Sequence, residues 1–276
     1  MARSSGSFGV HVLVVVLCAL TAFPMLWMLS TAVKPPDEVF LPGIHLLPEA
    51  PTLTNFPEAF RVFPISAWFY NSIFIGAATT VGKLAISLPA AFAFARLRFQ
   101  GRQLLFAMAL GTIIVPGVVT IVPNYILIAK LDWINTKQGV IVPSIAQTGF
   151  YVFLLRQYFL SLPEEIFDAA RVDGAGPWSS LWRIAVPVVR PAVVVVVIMA
   201  FLASWNQYIW PLIVLNDLPM KTLAVGMQFF ARNSEAAQLW GPMMATATLA
   251  TLPPLIVYAF FQRKIISTFI TSGLKG

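Results

Sequence analysis

The sequence predicts an all-α polytopic membrane protein with six transmembrane helices. Composition comes first: 58% of the 276 residues are hydrophobic and 11% are charged, whereas an ordinary soluble domain is roughly 25% charged. A soluble globule of this size needs far more polar surface than that. Second, apolar runs of about 20 residues, enough to cross a hydrocarbon layer as helix, recur six times. They lie at 9–32, 67–95, 103–128, 138–160, 191–215 and 242–263. Third, the prolines within them (Pro24, Pro89, Pro116, Pro123, Pro143, Pro211, Pro253 and Pro254) suit a bundle, where neighbouring helices satisfy freed carbonyls, so kinked spans are expected.

The first span begins like a secretion signal, with Arg3 ahead of an apolar run from Val10. The run is too long for a signal and no small-x-small cleavage site follows. Cys18 is the only cysteine and is preceded by Leu17, where a lipoprotein signal would want a small residue. The span is therefore read as retained, Cys18 as a small apolar residue, and an internal disulfide is excluded. Residues 33–66 are rich in proline and acidic groups, as expected of a loop packed on the outer face. Trp68, Trp133, Trp210 and Trp240 fall near predicted boundaries, where aromatic belts form.

Lysine and arginine set the orientation, because short cytoplasmic loops are enriched in both. Six spans place both termini on one side with the loops near 96–102 and 156–190. That side holds Arg3, Arg96, Arg98, Arg102, Arg156, Arg171, Arg183, Arg190, Arg263, Lys264 and Lys275; the other holds Lys34, Arg61, Lys130, Lys137, Lys221 and Arg232. The richer side, with both termini, is expected in the cytoplasm. The net charge of +7 then needs no nucleic acid to explain it.

On that side lies a charged island, EEIFDAARVDGAGPWSSLWRIAVP, Glu164 to Pro187. Ser161 with Glu164 fits a capping box, Pro163 suits a first turn, and Glu164 and Glu165 complement the helix dipole. A helix is predicted over Leu162–Asp173, ended by Gly174 in the left-handed conformation. Gly176 and Pro177 then start a second helix that Pro187 interrupts. Ala169 and Ala170 would let a soluble protein approach the backbone, with Asp168, Arg171 and Asp173 offering directional charge. The competing reading is an amphipathic helix lying on the bilayer, with Ile166, Phe167, Leu181 and Trp182 dipped into it. Spacing alone leaves both open.

The residues also resemble a known family. Asp168-Ala169-Ala170, Gly174, Ile184 and Pro187 match E-A-A-x3-G-x9-I-x-L-P, the cytoplasmic loop of the inner-membrane subunits of ABC importers. Asp168 stands where the family has Glu, and Val186 where it has Leu. The resemblance implies the type I permease fold over 1–276, with a core at about 67–263 and a coupling loop at 161–190. It implies that Glu164, Glu165, Asp168, Ala169, Ala170, Arg171, Asp173 and Gly174 dock a separate ATPase.

KPPDEVFLPG, LTNF, Asn71-Ser72 and the closing TSGLKG resemble the carbohydrate-uptake permeases of the maltose type. WNQYIWPL, Trp205 to Leu212, is similar to the glycerol-3-phosphate permeases. Such chains pair with a second permease, two ATP-binding subunits that hold ATP and Mg, and an extracytoplasmic solute-binding protein. The resemblance thus implies a subunit of the bacterial or archaeal inner membrane that binds no cofactor itself. In these relatives the segment GMQFFARNSEAAQLWG, Gly226 to Gly241, reaches toward the binding protein.

Lys83 lies in the second span, about 12 residues from Arg96 and so roughly 18 Å of helix from the boundary. A lysine there costs on the order of 2.5 to 3.5 kcal/mol on insertion scales and is a functional candidate by default. Three readings stay open: attraction of an anionic solute, pairing with the partner permease, or snorkelling. Its VGK setting resembles the glycerol-3-phosphate permeases. Asn71, Asn124, Tyr125, Gln147, Tyr151, Trp205, Asn206, Gln207 and Tyr208 are the other candidates for a polar pathway, against a structural role in interhelical hydrogen bonding worth about 0.6 kcal/mol each.

An enzyme is not expected. His11 and His45 are the only histidines, and neither H-E-x-x-H, G-x-S-x-G nor GxxxxGK[ST] occurs. A secondary transporter or channel is the non-ABC alternative, but it leaves the cytoplasmic motif unexplained.

Overall fold

The computed structural model describes residues 4–43, 45–232 and 238–273, and among them every regular element is helical. In chain order these are α1 (Ser4–Ala32), α2 (Asn55–Val62), α3 (Ile65–Arg96), α4 (Arg102–Ile114), α5 (Ile121–Lys130), α6 (Lys137–Ala146) and α7 (Gly149–Leu160). They continue as α8 (Glu164–Val172), α9 (Pro177–Val188), α10 (Arg190–Trp205), α11 (Ile209–Val214), α12 (Leu223–Gly226), α13 (Gln228–Arg232) and α14 (Trp240–Gly273).

Three of the expected spans are continuous helices: Gly9–Ala32 with mean hydropathy 2.5, Ile65–Arg96 with 1.5, and Trp240–Phe261 with 1.6. Pro24 and Pro89 sit inside their helices without ending them. The other three expected spans are broken, which corrects the expectation of single kinked rods.

The third bends by 94° between Ile114 and Gly117. Pro116 has no N–H and forces Val115 into extended backbone (φ −71°, ψ 116°), as the residue before a proline prefers. The fourth bends by 47°; α6 absorbs Pro143, and the break falls at Gln147 (φ −79°, ψ 68°). The fifth stops as helix at Trp205, and Asn206–Tyr208 separate it from α11. Pro211 then falls in the first turn of α11, where its missing N–H is no loss.

The described chain forms two compact units. One holds residues up to Ser66 with Gly226–Pro253. Its α1 exposes Val10, Leu13, Val15 and Leu20, an apolar surface suited to lipid, and Cys18 is exposed on it. The segment after α1 is tied down. The Asn55 amide donates to the carbonyls of Ala32 at 3.0 Å and Lys34 at 2.7 Å, capping the end of α1. Lys34 is itself buried, donates to the His45 carbonyl and lies 4.8 Å from the Trp27 ring. The Glu38 carboxylate accepts from the Glu49 and Ala50 amides, each at 3.0 Å.

The other unit holds Ala67–Val225 and the remainder from Pro254. Its larger core joins Leu88, Ala91 and Phe92 of α3 to Leu155 and Phe159 of α7, Phe167 of α8 and Val196 of α10. A second core gathers Ile75, Ile128, Val140, Trp210, Val214 and Leu215. Gly149 lets α7 meet α4, because a Cβ there would fall on Thr112 and on the Ala109 carbonyl.

Two expected belt tryptophans are interior instead. Trp68 is fully buried and donates to the Leu218 carbonyl at 2.8 Å, and Trp210 donates to the Gly139 carbonyl at 3.2 Å. Each indole N–H has a carbonyl partner, which removes its reason to seek the interface.

Candidate functional site

The charged island folds as a helix, a turn and a second helix. α8 begins later than the spacing implied, because Pro163 is its N-cap with no side-chain cap. The capping box does not form: the Ser161 hydroxyl donates to the Tyr158 carbonyl at 2.8 Å. Glu164 and Glu165 occupy the first turn and carry the favourable charge there alone. Gly174 has φ +80°, and the Ala175 amide donates back to Ala170 at 2.8 Å, a left-handed helix end as predicted.

Gly176 and Pro177 then start α9. Pro187 does not interrupt it. The chain widens into π-helix over Ser180–Ala185, continues through Pro187 and turns by 84° into α10. A π turn just ahead of the proline accommodates its ring and missing N–H.

The two faces of α8 differ. Phe167 and Ala170 are buried, whereas Asp168, Ala169, Arg171, Asp173 and Gly174 are exposed. The expectation that both alanines open onto a partner is corrected for Ala170, which shares the inner face with Phe167. Asp168 and Arg171 form an ion pair at 2.8 Å, each more than half exposed, so it contributes little stability. Of the four side chains in the bilayer-surface reading, Phe167 and Leu181 are in the core, and only Ile166 and Trp182 are exposed. Two aromatic or aliphatic groups that a surface helix would insert are already committed to packing.

The loop is held by two arginines counted above only for orientation. Arg96, at the end of α3, donates from Nε and Nη2 to the Phe159 carbonyl at 3.0 and 2.5 Å and from Nη2 to the Leu162 carbonyl. Its guanidinium lies 4.7 Å from the Phe167 ring. In return Arg156 of α7 donates to the Phe94 carbonyl of α3 at 3.1 Å. Helix-terminal carbonyls lack intrahelical partners, and this crossed pair supplies them. For Arg96, a basic residue in the last turn of an apolar helix was the signal available in the sequence.

The polar pathway candidates divide. A cavity of about 450 Å³ is lined by Asn124, Ser144, Gln147, Asn206, Gln207 and Tyr208 with Gly117, Val118, Thr120, Ile121, Pro143, Ile209 and Trp210. Each of the three broken spans contributes: Gly117 after Pro116, Gln147 between α6 and α7, and Asn206–Tyr208 between α10 and α11. Unwound backbone within a membrane layer is tolerated where it lines a cavity. The Ser144 hydroxyl bonds Val140 O at 2.8 Å and Gln207 Oε1 at 3.3 Å.

The remaining candidates lie elsewhere. Asn71 is buried and donates to the carbonyls of Pro219 and Lys221 at 2.8 and 3.0 Å, fixing the 218–221 turn. In that turn burial pushes the Lys221 ammonium below the ordinary lysine range, partly countered by Asp217. Trp205 is buried against Phe201 and Phe69 at 5.8 and 6.2 Å, and Tyr125 packs on the second core. Lys83 is buried with its ammonium 5.0 Å from the Tyr151 ring, and neither residue lines the cavity. Residues 233–237 of the external segment, and the last three of TSGLKG, lie outside the described residues. Among the described residues no group of histidine, cysteine or carboxylate side chains could hold a metal ion.

Residues 1–269 match the family described as binding-protein-dependent transport system inner membrane component. The chain is 32% identical over 267 residues to the sn-glycerol-3-phosphate transport system permease protein UgpE of Brucella melitensis, covering 94% of each. The same protein of Agrobacterium fabrum matches equally, at 32% over 94% of each, and that of Pectobacterium atrosepticum at 31% over 95% of each. A chain from the crystal structure of a bacterial ABC transporter involved in the import of the acidic polysaccharide alginate superposes with a TM-score of 0.83 at 21% identity, covering 95% of this chain and 98% of that one. A helical fold whose broken spans enclose a polar cavity, and a match along nearly its whole length, make this chain a member of the family of binding-protein-dependent transport system inner membrane components, with the ABC importer permease fold.

Proposed function

We propose that this chain is the permease subunit of an ATP-driven importer of carbohydrate-type solutes, with glycerol-3-phosphate the leading specific solute. The observation that carries the proposal is the cavity at the WNQY break, whose amide and hydroxyl lining matches the hydrogen-bonding needs of a polyol. The names of the 31–32% identical relatives support the glycerol-3-phosphate class. In this reading Asn124, Gln147, Asn206, Gln207 and Tyr208 bind the solute. Lys83, buried beside Tyr151 and outside the cavity lining, supplies a charged step elsewhere along the path, useful for an anionic solute.

The whole of 1–276 acts as one ABC transmembrane domain in the inner membrane with both termini cytoplasmic. It pairs with a second permease, receives solute from an extracytoplasmic binding protein and docks two ATPase subunits, which hold the ATP and Mg. Glu164, Glu165, Asp168, Ala169, Arg171, Asp173 and Gly174 form the docking face, and Ala170 supports it from inside. ATP-driven closure of the ATPases draws the coupling helices together and opens the cavity to the loaded binding protein. Release of ADP and phosphate returns it inward.

The test is uptake of labelled glycerol-3-phosphate by proteoliposomes holding the chain with its co-expressed subunits. Uptake should require ATP and the binding protein, and Lys83→Ala should weaken it more than Lys83→Arg. Uptake by this chain without an ATPase would sink the reading. A binding protein that takes only a neutral oligosaccharide would sink the phosphate role of Lys83.

A further inference from the structure

We propose that a basic recess between α3, α4 and α7 binds the headgroup of an anionic phospholipid. Two adjoining hollows form it. One, of about 590 Å³, is lined by Arg98, Phe99, Gly101, Arg102, Gln103 and Leu104. The other, of about 160 Å³, shares Arg102 and Gln103 and adds Arg156 beside Phe94, Phe106, Ala107 and Leu110. Three arginines thus line one recess, and among the described residues no carboxylate lines either part.

Two of the arginines are positioned rather than splayed. Arg102 donates to the Leu97 carbonyl at 3.1 Å. Arg156 donates to the Phe94 carbonyl and lies 4.2 Å from the Phe106 ring. Phe94 packs against Phe99 and Phe106 at 6.1 and 5.5 Å, making an aromatic floor. Each guanidinium has five donors in a fixed fork, so these carbonyl bonds leave N–H groups for phosphate oxygens, the acceptor that the fork fits best.

Membrane geometry chooses the occupant. Along α4 from the recess, Leu104, Leu105 and Met108 are about half exposed or more, at 61%, 48% and 57%, a strip that suits acyl chains. A soluble anion would use the arginines and make no use of that strip. A phospholipid fits both, its phosphodiester at the arginines and its tails along the strip. Basic pockets between helices at a membrane boundary hold anionic headgroups in this way. The inference rests on the transmembrane fold and is independent of the solute carried.

The test uses the full chain with its co-expressed subunits in nanodiscs, with retained lipid read by native mass spectrometry. Wild type should keep phosphatidylglycerol over phosphatidylcholine, and Arg98→Gln/Arg102→Gln should lower that retention by about tenfold or more, since each surface arginine contributes about fivefold. Arg232→Gln, remote in sequence from the recess, should leave it unchanged. Equal retention by wild type and the double variant overturns the proposal. So does loss of ATPase-subunit association by the double variant in purely phosphatidylcholine discs, which would assign the arginines to a protein interface. Displacement of phosphatidylglycerol by millimolar inorganic phosphate would make the recess a soluble-anion site and also overturn it.

Discussion

Replacing Arg96 with methionine should loosen the charged loop while leaving the apolar contacts of α3 largely in place. The wild-type guanidinium serves the Phe159 and Leu162 carbonyls and stands 4.7 Å from the Phe167 ring. A hydrogen bond to a charged group is worth about 1.5–3 kcal/mol, and a cation over an aromatic face about 0.5–1 kcal/mol at an exposed site. Arg96 is only partly buried, so water recovers part of both, leaving a net loss of about 2 kcal/mol. At 1.4 kcal/mol per factor of ten, the open population of α8 should rise about thirtyfold.

Limited trypsin cleavage at the exposed Arg171 in detergent reads that population, because cleavage tracks the open form when reclosing is fast. Arg96→Lys, which can reach one carbonyl without the fork, should fall between. As a positive control, Phe167→Ala removes a ring buried against Phe92 and should accelerate cleavage more, by the roughly 3–5 kcal/mol of such truncations. Equal cleavage of wild type and Arg96→Met, with Phe167→Ala still fast, would refute the reasoning.

Three further perturbations follow from single positions. Gly149→Ala sets a Cβ against Thr112 and the Ala109 backbone, so stability should fall by about 1–3 kcal/mol; an unchanged Tm in detergent would show that α4 and α7 are not packed this closely. Gly174→Ala meets open space, and its expected loss of about 1 kcal/mol comes from the positive φ alone; Gly174→Asn should lose less, and the same loss for both in a thermal melt would count against the left-handed turn as its source. Gln207→Leu takes a polar group from the cavity wall and the partner from Ser144, so the uptake KM should rise about tenfold for one lost substrate hydrogen bond. Trp205→Phe, outside the cavity, should leave KM within a factor of two or so while lowering stability; equal KM changes in both would undo the division between wall and core.

The sequence by itself determined the features that depend on local composition and nearest neighbours. Apolar length predicted six spans, three of which are continuous helices, since the length needed to cross a bilayer is set by hydrocarbon thickness and needs no tertiary information. Gly174 was legible because a glycine following a polar helix and preceding Gly176-Pro177 leaves few alternatives to a left-handed end. The charged loop was legible as a loop for the same reason, and its motif spacing was intact despite Asp168 and Val186.

Tertiary structure decided which side of each element faces inward. Ala169 and Ala170 are adjacent and chemically identical, yet about 100° of helical rotation exposes one and buries the other against the core. The capping box at Ser161 lost to a hydroxyl bond with Tyr158 one turn back, a competition between local acceptors that spacing cannot rank. Prolines marked where spans were able to break, but Pro89 does not end its helix and the break after Pro143 falls four residues on, because packing chooses where freed backbone groups find partners. Polar residues within spans were visible as a set. That Asn124, Gln147 and Asn206–Tyr208 share one cavity, while Asn71, Trp205 and Lys83 are held elsewhere, depends on how three broken spans pack, and that arises from contacts between residues far apart in the chain.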